Sequence, residues 1–317
     1  MSGRVLVADR GYEPAAVRRL LAGLDVEVVE DLGPWADPDA VALLVGTELR
    51  VEAGDLERLP SLRVVATCSV GFDHIALEEA RRRGVWVCNV PDYCIDEVAD
   101  HTIALVLALL RGVVELDRDV RAGGWNHDAA GLLRRFRGTR LGVVGFGRTG
   151  RAVAERGLAL GFEVWATDPA VPADTIAAAG ARPAQLDELL AACAAATLHL
   201  PLTPETEGLI GSRELARMPA GAVLVDTARE QLVDTGALVQ ALEDGHLGGA
   251  ALDVLAVEPP TRETPAPRAP RLVVTPHAAW YSAEAEEAVY RRPVLAVRDV
   301  LEGREPPDAV VRPEAAA

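Results

Sequence analysis

Residues 141–151 read LGVVGFGRTGR, an apolar run that meets Gly145, Gly147 and Gly150 in the spacing Gly-x-Gly-x-x-Gly. A strand that passes through glycines into a helix leaves free backbone N–H groups at the helix start, where a pyrophosphate is stabilised. The first glycine allows the tight turn, the second lets the ligand approach the backbone, and the third lets helix pack on strand. Arg148 and Thr149 lie in the same loop. Alone the pattern is weak, because glycine clusters also occur in plain turns. Here the next strand ends on Asp168, 18 residues past Gly150, where an acid is expected to bind the ribose hydroxyls. A carboxylate at that point repels a 2′-phosphate, which favours NAD over NADP.

Three further residues combine the right types for acid–base work on a carboxylate substrate. Arg229 follows the apolar run of AVLVDTAREQLVD (222–234), Glu258 precedes Pro259 and Pro260, and His277 follows Pro276. Each has a plainer reading: a loop-surface charge, a solvated glutamate and a satisfied histidine. Their shared placement favours a site, since each lies at or just past the C-terminal end of a predicted strand, the side on which open α/β sheets bind ligands.

Two series of strands must position these residues. VLVAD (5–9), VEVVE (26–30), ALLVG (42–46), VVATCSV (64–70) and VWVCNV (85–90) alternate with helical patterns such as 14–24 and 76–83. LGVVGF (141–146), FEVWATD (162–168), ATLHL (196–200), AVLVDTA (222–228), GAALDV (249–254) and LVVTP (272–276) form the second series. Such alternation predicts parallel sheets with helices on both faces. Between the series, 95–121 reads as one long helix, apolar around most of its circumference, that ends at GGWN (123–126). A last helix over 282–302 is expected to return the chain to the first lobe. Residues 259–270 form a proline-rich loop, and a frayed tail is expected from Pro306.

Composition narrows the function. At 317 residues with half of them apolar, the chain can bury two cores. A net charge of −16 argues against nucleic-acid and anionic-membrane partners. All 32 basic residues are arginine, which removes Schiff-base chemistry and the lysine of a Walker-A loop. Cys68, Cys88, Cys94 and Cys193 show no metal-ligand spacing and read as small core residues, so no metal is expected. No apolar run approaches the roughly 20 residues of a membrane span. No signal-peptide profile is read at MSGRVLVADR, so the expected location is the cytoplasm.

The words SVGFDHI (69–75), CNVPDYCIDEVADHTIALVLALLR (88–111), GVVGFGRTGR (142–151), LHLPLTPETEGLI (198–210), DTAR with LVD (226–234), GAALDVLAVEPP (249–260) and TPHAAWYS (275–282) occur in order. As a set they resemble the D-isomer-specific 2-hydroxyacid dehydrogenases, whose relatives include phosphoglycerate dehydrogenases, glyoxylate/hydroxypyruvate reductases and the C-terminal-binding-protein corepressors. NVPDYCIDEVADHT and TPHAAWYS look most like the corepressor branch. The resemblance implies two doubly wound α/β lobes, with a Rossmann cofactor domain (98–285) inserted in a discontinuous flavodoxin-like substrate domain (1–97 and 286–317), and a homodimer.

It also implies roles. Arg229 holds the carboxylate and 2-oxo group of a small 2-oxo acid, a task suited to a planar guanidinium. His277 is the acid/base, and Glu258 is the carboxylate that favours its protonated form. Val70 and Gly71 match the loop whose N–H groups bind the substrate carboxylate, and Trp280 matches a residue bordering the substrate. Asp253 matches an aspartate near the nicotinamide carboxamide of NAD. Leu200, Pro201, Thr206, Thr227 and Ala228 match positions lining the dinucleotide. The implied activity is NAD-dependent interconversion of a 2-oxo acid and its D-2-hydroxy acid. The alternative is an NADH-sensing scaffold like the corepressors, with little or no turnover.

One position departs from the family pattern: most members have glycine after the arginine, and this chain has Glu230. Three readings stand. The glutamate strains a loop that wants positive φ, competes with substrate for Arg229, or points to solvent as a bystander. The last is preferred, because neighbouring side chains need not share a direction.

Overall fold

Apolar runs without polar interruption are stable as strands only when helices cover both faces of the sheet, and the chain meets that condition twice. The computed structural model describes residues 3–131, 133, 135–261, 264 and 268–313. Its contacts divide the chain into two units, Met1–Tyr93 with Ser282–Ala317, and Cys94–Tyr281.

The first unit contains β1 (Gly3–Ala8), α1 (Pro14–Leu20), β2 (Val26–Glu30), β3 (Ala40–Val45), α2 (Ala53–Arg58), β4 (Val64–Thr67), α3 (Leu77–Arg82) and β5 (Trp86–Cys88). Its strands are parallel in the order β2-β1-β3-β4-β5. The alternation along β1 shows the double winding. Val5 and Val7 join a core with Val17 of α1 and with Val294 and Val297 of the C-terminal helix. Leu6 and Ala8 face the opposite core, with Leu56, Leu59 and Ala80.

The second unit opens with α4 (Ile95–Leu110) and α5 (Val113–Arg121). Then follow β6 (Arg140–Val144), α6 (Arg148–Leu160), β7 (Glu163–Thr167), α7 (Ala173–Ala178), β8 (Arg182–Pro183), α8 (Leu186–Ala192), β9 (Ala195–Leu198), α9 (Ser212–Arg217), β10 (Val223–Asp226), α10 (Thr235–Glu243), β11 (Gly249–Leu252) and β12 (Leu272–Val274). The sheet is parallel throughout, in the order β12-β11-β10-β9-β6-β7-β8. Strand order reverses between β6 and β9, which makes the C-terminal end of β6 the topological switch point where such sheets bind ligands. The chain returns to the first unit through α11 (Ala283–Leu301) and β13 (Ala309–Val311).

Three expectations need correction. The single helix over 95–121 is two, because Gly112 adopts φ +58° and breaks the α-helical ladder between α4 and α5. Only α4 is deeply packed; α5 has no buried residue. The tail is not frayed from Pro306, since β13 pairs antiparallel with β5 and Val311 is 1% exposed in the core. Pairing there covers an otherwise open sheet edge. Strand β8 was not expected; it is a two-residue edge strand carrying Pro183, too short and too polar to show a period. Within the proline-rich stretch, residues 262, 263 and 265–267 lie outside those described, while the N–H of Thr261 donates to Thr264 Oγ1 at 3.0 Å.

Cys88, Cys94 and Cys193 are buried, Cys68 partly so, and no disulfide joins them. Burial pushes the Cys88 and Cys193 thiols up to about 12, so both stay protonated and unreactive at neutral pH. Among the described residues no His, Cys, Asp and Glu cluster could hold a metal ion, and no helix is long and apolar enough to cross a membrane.

Candidate active site

The glycine loop sits at the switch point with each glycine under a different constraint. Gly145 has φ +94°, and a Cβ there would lie 2.7 Å from the carbonyl of His199. A Cβ on Gly150 would lie 2.0 Å from the Gly145 carbonyl oxygen, so only glycine lets α6 pack this close to β6. Around Gly147, the N-cap of α6, a Cβ would meet nothing within 4 Å. That opening at a helix N-terminus, between two crowded glycines, fits a pyrophosphate. Arg148 and Thr149 begin α6. Arg151, which motif reading passed over, braces the loop by donating to the Phe146 carbonyl at 3.0 Å.

Asp168 follows β7 and ties the two strand ends together. Its Oδ2 accepts the N–H of Phe146 at 2.7 Å and its Oδ1 that of Ala170 at 2.8 Å. Both oxygens retain lone pairs for a diol. On the other side of the switch point, Leu200 and Pro201 follow β9, and the Thr206 hydroxyl donates to the Pro201 carbonyl at 2.7 Å, folding that loop on itself.

The loop after β10 carries Thr227, Ala228 and Arg229. Asp226, the last residue of β10, is fully buried; its Oδ1 accepts the N–H of Ala228 at 2.8 Å, while its Oδ2 is buried without a partner. Burial raises this carboxyl to about 7, against the opposing pull of the Ala228 and Arg229 N–H groups and the Arg229 charge; the Glu230 charge adds to the rise. Arg229 is half-buried, with extended backbone (φ −150°), and its Nη1 donates to the Ala228 carbonyl at 2.7 Å.

Glu230 departs from the strained and the bystander readings. It begins a short 3-10 turn, Glu230–Leu232, and is not among the residues with positive φ, so the loop carries no left-handed strain there. Its carboxylate is half-buried and accepts the hydroxyl hydrogen of Thr235, the first residue of α10. The side chain therefore tethers the Arg229 loop to the next helix, where the sequence reading preferred a solvated bystander.

The loop after β12 brings His277 to Glu258. His277 Nδ1 lies 2.8 Å from Glu258 Oε2, with both side chains about two-fifths exposed (40% and 37%). Glu258 is itself oriented, since its Oε1 accepts the N–H of Leu255 at 2.8 Å. With Nδ1 engaged, Nε2 is the nitrogen left to exchange a proton with a ligand. His277 adopts φ +50°, an uncommon conformation for a residue with a side chain. Asp253, 1% exposed, imposes it: its carbonyl accepts the N–H of His277 (2.8 Å), its Oδ1 those of the Thr275 hydroxyl (2.5 Å) and Ala278 N–H (2.9 Å), and its Oδ2 that of Ala279 N–H (2.9 Å). The sequence reading assigned Asp253 to the cofactor; the structure adds a clamp on the histidine loop. Trp280 packs edge-on against Tyr281, ring centroids 5.5 Å apart.

Arg229, Glu258, His277, Asp253 and the glycine loop all belong to the second unit; Val70 and Gly71 belong to the first. In that unit the Val70 carbonyl accepts from Asn89 Nδ2 at 2.7 Å and the Gly71 carbonyl from Ser69 Oγ at 2.6 Å. Because C=O and N–H point oppositely across a trans peptide, anchoring these carbonyls turns the N–H groups of Gly71 and Phe72 the other way.

Comparisons with known proteins give the family. Residues 103–279 match the profile of the D-isomer specific 2-hydroxyacid dehydrogenase NAD binding domain. D-3-phosphoglycerate dehydrogenase of Mycobacterium tuberculosis is 39% identical over 312 residues, covering 96% of this chain and 58% of its own length. Glycerate dehydrogenase of Methylorubrum extorquens is 35% identical over 298 residues, covering 90% of this chain and 92% of its own. The crystal structure of D-lactate dehydrogenase from Aquifex aeolicus, complexed with NAD and lactic acid, superposes with a TM-score of 0.89 at 27% identity, covering 98% and 100% of the two chains. The chain thus spans little more than half the length of the phosphoglycerate dehydrogenases it matches, and nearly all of the other two.

Proposed function

The chain belongs to the D-isomer-specific 2-hydroxyacid dehydrogenase family, and on that premise we propose that it is an NAD(H)-dependent oxidoreductase interconverting a small 2-oxo acid and its D-2-hydroxy acid. The observation that carries this reading is the 2.8 Å His277–Glu258 pair, held at a C-terminal strand end in the same unit as Arg229 and the glycine loop. Gly145, Gly147, Gly150 and the start of α6 hold the NAD pyrophosphate, Asp168 the ribose diol, and Leu200, Pro201, Thr206, Thr227 and Ala228 line the remainder. When bound, NAD(H) supplies or takes the hydride at C2 of the substrate.

The protein's own residues supply the rest. Arg229 pairs with the substrate carboxylate and polarises the 2-oxo group. His277, oriented by Glu258, gives a proton to the carbonyl oxygen in reduction and removes it in oxidation. The loop that holds Val70 and Gly71 contributes backbone N–H groups to the carboxylate, and Trp280 borders the substrate. The first unit thus serves as the substrate domain and the second as the cofactor domain. The scaffold reading rests on the corepressor-like words PDYCIDEVADH and TPHAAWYS and on the Glu230 substitution; the acid–base pair of His277 and Glu258 favours turnover instead.

The test is NADH oxidation over a panel of hydroxypyruvate, glyoxylate, pyruvate and phosphohydroxypyruvate. Turnover with at least one member is expected, with a loss of roughly 10²–10⁴-fold in His277→Ala. No turnover with any acid, or full activity in the variant, counts against the proposal.

A homodimer and a cytoplasmic location complete the reading. Helix α5 is amphipathic yet buries no residue, and it leads to Trp125, which is 91% exposed beside half-exposed Val113 and Val120. Apolar surface of this kind marks an interaction site, and we assign it to a second copy of the chain. Trp125→Glu is expected to convert a dimer to monomer in sedimentation analysis; an unchanged mass would remove this face from the interface.

A further inference from the structure

Helix α4 packs against β10 and β11, and two adjacent residues on it reach different catalytic loops. His101 Nε2 lies 3.1 Å from Thr275 Oγ1, two residues before His277. Thr102 Oγ1 lies 2.9 Å from Thr227 Oγ1, two residues before Arg229. Strands β10 and β12 flank β11, so their ends stand about 10 Å apart. Neighbouring side chains on an α-helix diverge by about 100°, which suits one helix to spanning that gap with consecutive residues.

Proton counting fixes the direction of each bond. Thr102 spends its single hydroxyl hydrogen on the Val98 carbonyl at 2.7 Å, so it accepts from Thr227. Thr275 spends its own on Asp253 Oδ1 at 2.5 Å, so it accepts from His101, whose Nε2 carries the hydrogen. The result is a directed chain from His101 through Thr275 to the Asp253 clamp. A second runs from Thr227 through Thr102 to the helix backbone. Thr102 is fully buried and Asp253 nearly so, while His101, Thr227 and Thr275 are partly buried.

Resting on the roles proposed above for Arg229 and His277, we infer that His101 and Thr102 are positioning residues that register the two catalytic loops on one rigid helix. His101 sets the proton-transfer loop and Thr102 the carboxylate-binding loop. The two should fail differently when removed, because a proton donor that is misaimed slows the chemical step while a misplaced carboxylate anchor weakens substrate binding.

His101→Phe is expected to lower kcat roughly tenfold while KM for the 2-oxo acid stays within about twofold. Thr102→Val is expected to raise that KM roughly tenfold with kcat within about threefold. His101→Gln and Thr102→Ser, which restore a donor and a hydroxyl, should recover both constants. Thr275→Val removes the His101 bond from its other end and should copy His101→Phe, which keeps the test decisive if one variant folds poorly. The inference is overturned if both single variants shift the same constant, if either shifts neither, or if the conservative variants do not recover. His277→Asn separates the two levels. If it is inactive while His101→Phe is normal, only the registration fails; if it keeps full turnover, the acid–base role fails and registration falls with it.

Discussion

The loops after β10 and β12 face the same kind of problem with opposite solutions. Each is reached from a buried aspartate at a strand end, Asp226 on β10 and Asp253 just past β11, and the two are neighbours: the N–H of Asp253 donates to the Asp226 carbonyl at 2.9 Å. Around Asp253 both carboxylate oxygens are occupied, and the loop it governs carries His277 at φ +50°. Around Asp226 one oxygen is orphaned, yet its loop is relaxed, with Arg229 extended. A fully satisfied carboxylate can hold a strained backbone that costs on the order of 1–3 kcal/mol. A partly satisfied one is found where no strain needs holding. In the roles proposed for them, the difference teaches where precision matters: the histidine must be aimed, whereas a long arginine reaches its partner from a relaxed loop.

If Arg229 works through its two-pronged geometry, Arg229→Lys keeps the charge and loses the fork. It should lower kcat/KM for the 2-oxo acid by roughly 10–100-fold in steady-state NADH oxidation. A variant close to wild type would mean that charge alone suffices and that the relaxed loop is not a recognition element.

Asp226 offers a test through stability. An unfolded aspartate releases its proton near pH 4, whereas in the folded chain burial holds it until about 7. Between these values the folded state binds more protons, so stability falls as pH rises and the penalty is complete above about pH 7. Asp226→Asn removes that penalty. Its unfolding free energy should match wild type near pH 4 and exceed it increasingly toward pH 8, by an amount on the order of a few kcal/mol, with a melting temperature that rises in step. A constant offset across that range would show that the orphaned oxygen carries no such cost.

The smallest effect is expected at Glu230. Glu230→Gly breaks the Thr235 tether and adds backbone freedom, which together cost about 1–2 kcal/mol of stability by chemical denaturation. The ranking of 2-oxo acid substrates should not change, because the carboxylate is directed at Thr235. A re-ordered substrate panel would place Glu230 back among the recognition residues.

Much of this was legible before any coordinates, for identifiable reasons. The Gly145-Gly147-Gly150 loop and Asp168 are local features whose roles follow from backbone sterics and fixed spacing. The two strand series declared themselves because strands buried on both faces are written as apolar runs. The break at Gly112 was less visible, since a single glycine in an apolar stretch is often tolerated within a helix and positive φ is not encoded by residue type. β13 escaped because three residues gain their stability from the β5 edge rather than from their own pattern.

By itself, then, the sequence determined the fold class and the dinucleotide fingerprint, which rest on local periodicity, spacing and motif, and it singled out the arginine, histidine and glutamate as candidates through their strand-end placement and the family resemblance. Tertiary structure alone decided how those residues are held. That Asp253 clamps His277, and that His101 and Thr102 reach two different loops, are contacts between segments up to 174 residues apart. Such contacts depend on which strand ends the sheet order makes neighbours, and β10, β11 and β12 become neighbours only when the sheet closes around them.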